Sequence, residues 1–193
     1  MTMKLYFDPH SRSQVARWML DEAGVDYEIV PTLIREKAHK TPEFLKINPA
    51  GKLPALVDGR TRVFENAAIC MYVAEKFPGK RLAPFPGSPD RGRYLSLMVY
   101  STSQLEPAMG DSLLKIRSNN RARGWTDFEA AKDAVERELG DGPYLFGAQF
   151  TAADVMIGSM LIWHRAFGGI LNRPKLDAYV NRLQGRPKGM KFG

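Results

Sequence analysis

Four stretches of this 193-residue chain combine residue types and spacings that could do chemistry. In Asp8-Pro9-His10-Ser11-Arg12-Ser13, two hydroxyls and an imidazole lie between an apolar run and the start of a helical pattern. Ligands gather at the ends of strands in open α/β sheets, and a helix start offers free N–H groups and a positive dipole end. A hydroxyl placed there can donate to a thiolate or oxyanion. Spacing by itself favours the simpler reading, a serine that caps the helix. Asn48-Pro-Ala-Gly-Lys-Leu-Pro-Ala-Leu56 runs through Leu53-Pro54 into a strand. A cis proline there would leave the backbone of the preceding residue free to pair with an extended ligand, although a trans edge proline is the default. Phe64-Glu-Asn-Ala-Ala-Ile69 sets a carboxylate and an amide at a helix start. Together they could hold a zwitterion, Glu65 taking the ammonium and Asn66 the carboxylate; a plain N-cap explains them equally well. His39, Lys40 and Lys52 are cations suited to a carboxylate, or simply solvated surface.

The elements that must position these residues fall into two halves. Pro78 to Pro89 contains four prolines and two glycines, which interrupts any helix or central strand. Residues 1–79 therefore read as one domain, 80–88 as a linker and 89–193 as a second domain. In the first half, Lys4–Asp8 and Tyr27–Val30 read as strands around a helix at Ser13–Ala23 that Gly24 stops. Ala55–Val57 and Arg62–Phe64 flank a hairpin signal, Asp58-Gly-Arg-Thr61, and Asn66–Phe77 reads as a covering helix. A parallel βαβ unit followed by an antiparallel hairpin and a helix is a thioredoxin-like arrangement. The second half shows the helical period throughout. One helix starts near Pro89, with Leu95, Met98, Val99 and Thr102 as its stripe. Thr126-Asp-Phe-Glu129 and Thr151-Ala-Ala-Asp154 read as capping boxes opening two more, and Pro174 suits the first position of a fourth.

Composition bounds the rest. The chain is 44% hydrophobic and 25% charged, an ordinary globular balance. No apolar run approaches the ~20 residues of a membrane span, and no signal-like segment opens the sequence. A cytoplasmic protein without membrane association is expected. The lone cysteine, Cys70, excludes an internal disulfide, CxxC chemistry and a Cys-rich zinc site. It lies on a helix core face and reads as packing. Net charge is +7, concentrated after residue 79. The basic residues are scattered without interleaved aromatics, so a solvated face that attracts anions fits better than a nucleic-acid surface.

Taken together, the motifs resemble the glutathione transferase family over nearly the whole chain. Leu5-Tyr-Phe-Asp-Pro-His-Ser-Arg-Ser13 resembles its first strand and catalytic loop, and Asn48 to Leu56 resembles its diagnostic cis-proline stretch. Phe64 to Ile69 is similar to its Glu-Ser-X-Ala-Ile motif, with Asn66 in place of the serine. Thr151 to Asp154 matches its buried capping box. His39-Lys-Thr-Pro-Glu-Phe-Leu-Lys-Ile-Asn48 is similar to theta-like, serine-type bacterial members.

The resemblance implies a thioredoxin-like domain joined to an all-α domain, a homodimer, and glutathione as co-substrate with no metal. It implies that Ser11 donates to the glutathione sulfur and that Leu53, before Pro54, pairs its backbone with the cysteinyl part. Glu65 and Asn66 would hold the γ-glutamyl end, and His39 and Lys52 the glycine carboxylate. Gap placement leaves Ser13 or His10 open as the thiol activator instead. If Ser13 serves as the cap, its loss would cost mainly stability. An apolar electrophile is expected between the domains, with Tyr100, Ser103, Met109, Trp163 and Phe167 as candidate pocket residues. The expected activity is conjugation of glutathione, as in detoxification. Isomerase, dehalogenase or peroxidase chemistry, or a non-catalytic glutathione-binding regulatory role, are the alternatives. Ser11, Glu65 and Pro54 argue against the last.

Overall fold

A computed structural model describes residues 2–116 and 122–190 of the chain. The chain divides into two compact units, residues 1–80 and 81–193.

In the first unit, β1 (Met3–Phe7) sends Met3, Leu5 and Phe7 into the core at the period-2 spacing of a strand. Then α1 (Ser13–Ala23) buries Val15, Trp18, Met19 and Ala23, and Gly24 ends it in the left-handed conformation at φ 60°. The next elements are β2 (Tyr27–Pro31), two short 3₁₀ turns at Ile34–Glu36 and Ala38–Lys40, and the one-turn α2 (Pro42–Leu45). The hairpin forms as β3 (Ala55–Asp58) and β4 (Thr61–Phe64), followed by α3 (Asn66–Lys76). The sheet order is β2-β1-β3-β4, with β1 parallel to β2 and antiparallel to β3. The expected thioredoxin-like arrangement is therefore present. On the face of β1 opposite its core residues, Tyr6 meets Phe44 of α2 edge-on, with ring centroids 5.6 Å apart.

Register explains why chemistry collects at one end of this sheet. Ala55 pairs with both Tyr6 and Phe64, and Phe7 pairs with Pro31. The chain therefore leaves β1, β2 and β4, and enters β3, along a single edge. The four stretches singled out by residue type are the four segments beyond that edge.

The second unit is helical. One long helix comprises α4 (Asp90–Tyr100), a wide π turn at Ser101–Leu105 and α5 (Glu106–Leu113). Pro107 lacks an N–H and its ring crowds the preceding turn, which accounts for a widened turn just before it. The buried side of this helix differs from the expected stripe. Tyr94, Leu97, Met98, Ser101 and Leu105 are buried, whereas Leu95 and Val99 are exposed, Val99 by 57%. Of the expected four only Met98 is in the core; Thr102 is half-buried. Apolar type alone did not fix the phase, because Tyr94 and Ser101 carry polar atoms on the inner side.

Further on, α6 (Phe128–Leu139) starts at Asp127 rather than Thr126. The Asp127 side chain accepts from the Ala130 N–H at 2.9 Å, and Glu129 instead pairs with Lys132 at 2.8 Å. Then α7 (Ala152–Ala166) is the buried axis of the unit, and α8 (Pro174–Gln184) opens on Pro174 as expected. Leu82, in the proline-rich stretch, is buried, and its carbonyl accepts from the Ala152 N–H at 2.8 Å.

The Thr151–Asp154 pairing forms at the start of α7. The Asp154 carboxylate accepts from the Thr151 N–H at 2.8 Å and its hydroxyl at 3.1 Å. It also takes the Leu145 N–H and the Tyr179 hydroxyl, each at 2.9 Å. Asp154 is fully buried, and burial pushes its carboxyl up to about 6. No helix among the described residues is long and apolar enough to cross a membrane.

Candidate active site

The loop after β1 is built around Asp8, a residue the sequence reading passed over. Its carboxylate accepts from the His10 N–H and from the Ile34 N–H, each at 2.7 Å. The first bond makes a local Asx turn; the second ties the loop to the segment beyond β2. Burial opposes ionisation of Asp8. The two N–H bonds and the charges of His10 and Arg35 nevertheless hold its carboxyl below the ordinary value. The same device shapes the second loop. Asn48 Oδ1 accepts from the Ala50 N–H at 3.0 Å, and its Nδ2 donates to the Lys52 carbonyl at 2.8 Å. Both loops therefore begin with an Asx-Pro dipeptide, Asp8-Pro9 and Asn48-Pro49, and that is the signal that could have identified both anchors.

Ser11 and Ser13 form a close pair on this loop, their Oγ atoms 2.6 Å apart. Ser11 is 8% exposed, while Ser13 is fully buried. Their roles differ from the expected cap. Ser13 is the first residue of α1, and its Oγ accepts from the Asp8 N–H at 3.1 Å, back on the strand. It is Ser11 Oγ that accepts a helix-start donor, the Ser13 N–H, at 3.1 Å. Of the two, only Ser11 keeps any surface. His10 is exposed.

The Leu53–Pro54 peptide is cis, and Pro54 is buried against the sheet. Glu65 takes φ 69°, ψ 128°, a region that costs a non-glycine residue about 1–3 kcal/mol. It sits ahead of α3 with its side chain exposed and no capping bond. Asn66 Nδ2 donates to the Arg12 carbonyl at 3.1 Å, while Asn66 Oδ1 is buried without a partner. Asn66 thus ties the start of α3 to the loop carrying Ser11, with one amide N–H engaged and its side-chain oxygen buried.

The cations also converge. A Cβ at Gly51 would come within 2.7 Å of Lys40 Nζ and 3.1 Å of the His39 carbonyl, so glycine at φ 58° lets this loop close on the His39 turn. Burial, followed by the charges of Lys40 and Lys52, holds the His39 imidazole below its ordinary pKa, against a smaller opposing effect of Asp8. Its Nδ1 is buried without a partner. Ser11, His39, Lys52, Leu53, Pro54, Glu65 and Asn66 thus all belong to the segments at one sheet end. Cys70 is buried inside α3, and burial raises its thiol pKa strongly, in line with a packing role.

The five residues named for the electrophile lie in the helical unit. Tyr100 is half-buried and lines a cleft of about 290 Å³ with Arg93, Leu97, Val135 and Glu138. Met109 and Trp163 are buried, Ser103 is exposed and Phe167 is 59% exposed. The Trp163 and Phe167 rings lie 5.1 Å apart. Among the described residues, none of these four lines the Tyr100 cleft.

A thioredoxin-like unit with these strand-end loops, followed by a helical unit, matches two family models in order. These are the glutathione S-transferase N-terminal domain over residues 1–75 and the C-terminal domain over residues 118–182. The chain is 31% identical to glutathione S-transferase F13 of Arabidopsis thaliana, covering 99% of this chain and 94% of that protein. It is 28% identical to a glutathione transferase structure from Methylococcus capsulatus, with a TM-score of 0.79 over 97% and 95% of the two chains. A Sulfitobacter homologue solved with bound glutathione is 26% identical, with a TM-score of 0.76 over 97% and 94%. The chain belongs to the glutathione S-transferase family.

Proposed function

We propose that the chain is a serine-type, theta-like glutathione transferase, a cytoplasmic homodimer that conjugates glutathione to apolar electrophiles in detoxification. The observation that carries the reading is the Ser11 hydroxyl. It is the less deeply buried member of a serine pair, at the sheet end from which the cis-proline loop, Glu65 and the His39–Lys52 cations also extend. A glutathione sulfur beside Ser11 accepts its O–H. The backbone of Leu53 pairs with the cysteinyl residue, since no hydrogen bond within the described residues engages it. Glu65 takes the ammonium and Asn66 the γ-glutamyl carboxylate. His39 and Lys52 take the glycine carboxylate.

The chemistry is thiolate activation. A thiol of pKa about 8.5–9 is mostly protonated at pH 7, and a fall of about two units makes it mostly thiolate. The released proton goes to solvent; the thiolate forms a C–S bond to the electrophile, and in a substitution the carbon–halogen bond breaks and halide leaves with its electron pair. The test is titration of the bound thiol by ultraviolet absorbance. Ser11→Ala should raise its pKa by at least about one unit, about 1.4 kcal/mol, with little change in glutathione affinity. Equal thiol pKa values in the two proteins would overturn the role of Ser11. Thiol consumption with a chlorinated nitrobenzene and not with a peroxide would support conjugation; the reverse would establish a peroxidase.

A further inference from the structure

Resting on that reading of Ser11, we infer that Ser13 is a positioning residue that polarises the Ser11 hydroxyl, the two serines acting as a relay from Asp8 to the glutathione sulfur. The argument is proton counting. Three close contacts link the two hydroxyls and the strand end: Ser11 Oγ to the Asp8 carbonyl at 2.9 Å, Ser13 Oγ to the same carbonyl at 2.8 Å, and Ser11 Oγ to Ser13 Oγ at 2.6 Å. Two hydroxyl protons cannot fill three donor roles. Without a ligand, one serine donates to Asp8 and the pair shares what remains.

A sulfur acceptor beside Ser11 resolves the shortage in one direction. Ser11 is the serine with surface, so its proton turns outward to the sulfur. The 2.6 Å contact then has one donor left, the Ser13 hydroxyl, which turns from the Asp8 carbonyl and donates a hydrogen bond to Ser11 Oγ. Ser13 Oγ is held for this by the Asp8 N–H at 3.1 Å, and the Asp8 carbonyl keeps the Ser11 N–H at 3.2 Å. Ser11 Oγ then accepts twice from Ser13, from N–H and from Oγ–H, and donates once to the sulfur. A hydroxyl that accepts two bonds is a stronger donor, because chained hydrogen bonds polarise one another, by roughly 10–30% per bond. Both serines stay neutral hydroxyls throughout; two O–H bonds rotate and none breaks. Full burial of Ser13 keeps water from replacing it as donor.

The test is a double-mutant cycle on the pKa of bound glutathione. It uses the difference absorbance against the S-methylglutathione complex, which subtracts the thiols of the protein itself. The Asp8 carboxylate, His10 and His39 are common to every variant, so their fields cancel in the cycle. Ser11→Ala should raise the pKa by at least about one unit and Ser13→Ala by about half a unit, a threefold loss of thiolate. The double variant should match Ser11→Ala. Should Ser13→Ala not fold, Ser13→Cys keeps the volume, donates more weakly, and should shift the pKa the same way. An unshifted pKa in a folded Ser13 variant would overturn the relay, as would a Ser13 shift that persists on the Ser11→Ala background. Identical pKa values in wild type and Ser11→Ala would remove the activator itself, and the relay with it.

Discussion

The Asn66 side chain donates to the Arg12 carbonyl at 3.1 Å, joining the start of α3 to the residue that precedes α1 across 54 positions of sequence. A serine at position 66 would be too short to make the same bond while remaining at the helix start. The amide therefore does two things at once. It ties down the loop carrying Ser11, and its oxygen is buried without a partner.

Loss of that amide should weaken glutathione binding. Asn66→Ala is expected to cost about 1–2 kcal/mol, roughly tenfold in Kd by calorimetry, from one lost ligand bond and a looser Ser11 loop. An affinity equal to wild type would show that the Arg12 tether is structural only.

On the proposed binding mode, His39 should make glutathione affinity depend on pH. Its imidazole is held below the ordinary value by burial and by Lys40 and Lys52, so it is mainly neutral at pH 7. A carboxylate bound beside it favours the charged form and raises its pKa, so binding takes up a proton. Affinity should rise a few-fold as pH falls below neutrality, and His39→Gln should flatten that rise. The same slope in the variant would place the titrating group elsewhere.

Asp154 is a structural group whose removal is expensive. Asp154→Ala strands the N–H groups of Leu145 and Thr151 and the Tyr179 hydroxyl. At about 1–3 kcal/mol for each orphaned buried group, a loss of several kcal/mol is expected in denaturant titration. Glutathione affinity of the folded fraction should stay nearly unchanged.

The pH dependence of stability carries the signature of the same carboxyl. Burial pushes it up to about 6 from an ordinary aspartate value of 3.8, so the folded state holds the proton more tightly. Its contribution is fully present below about pH 4 and is lost as pH rises through 6, on the order of 2–3 kcal/mol. Measured against Asp154→Asn, wild type should lose relative stability over that window. A flat difference would show that the four donors offset the effect of burial.

Gly169 makes room for a buried ring. A Cβ there would come within 2.2 Å of His164 Cε1, and the His164 ring is packed on Phe128 at a centroid distance of 4.5 Å. Gly169→Ala should therefore destabilise by about 1–3 kcal/mol through overpacking. An unchanged melting temperature would mean that the segment after α7 shifts freely.

Much of this was readable from the sequence because local rules and tertiary demands agree. The first strand, read as Lys4–Asp8 and found one residue earlier at Met3–Phe7, the helical spacing of Val15, Trp18 and Met19 before Gly24, and the turn at Asp58-Gly59 each follow from backbone chemistry that acts within a few residues. Thr151 and Asp154 were legible for the same reason, being three apart at a helix start. The cluster of Ser11, Pro54, Glu65 and His39 could be named one motif at a time. That they share one sheet end is a matter of strand register, which no local pattern encodes. Three things were left to the tertiary structure. The phase of α4 turned on which partner buries Tyr94 and Ser101 rather than Leu95 and Val99. The anchoring role of Asp8 needed Ile34, 26 residues away, to supply an N–H. The division of labour between Ser11 and Ser13 depended on which hydroxyl the strand end covers, and a sequence that offers two serines two residues apart contains no physical difference between them until the chain has folded.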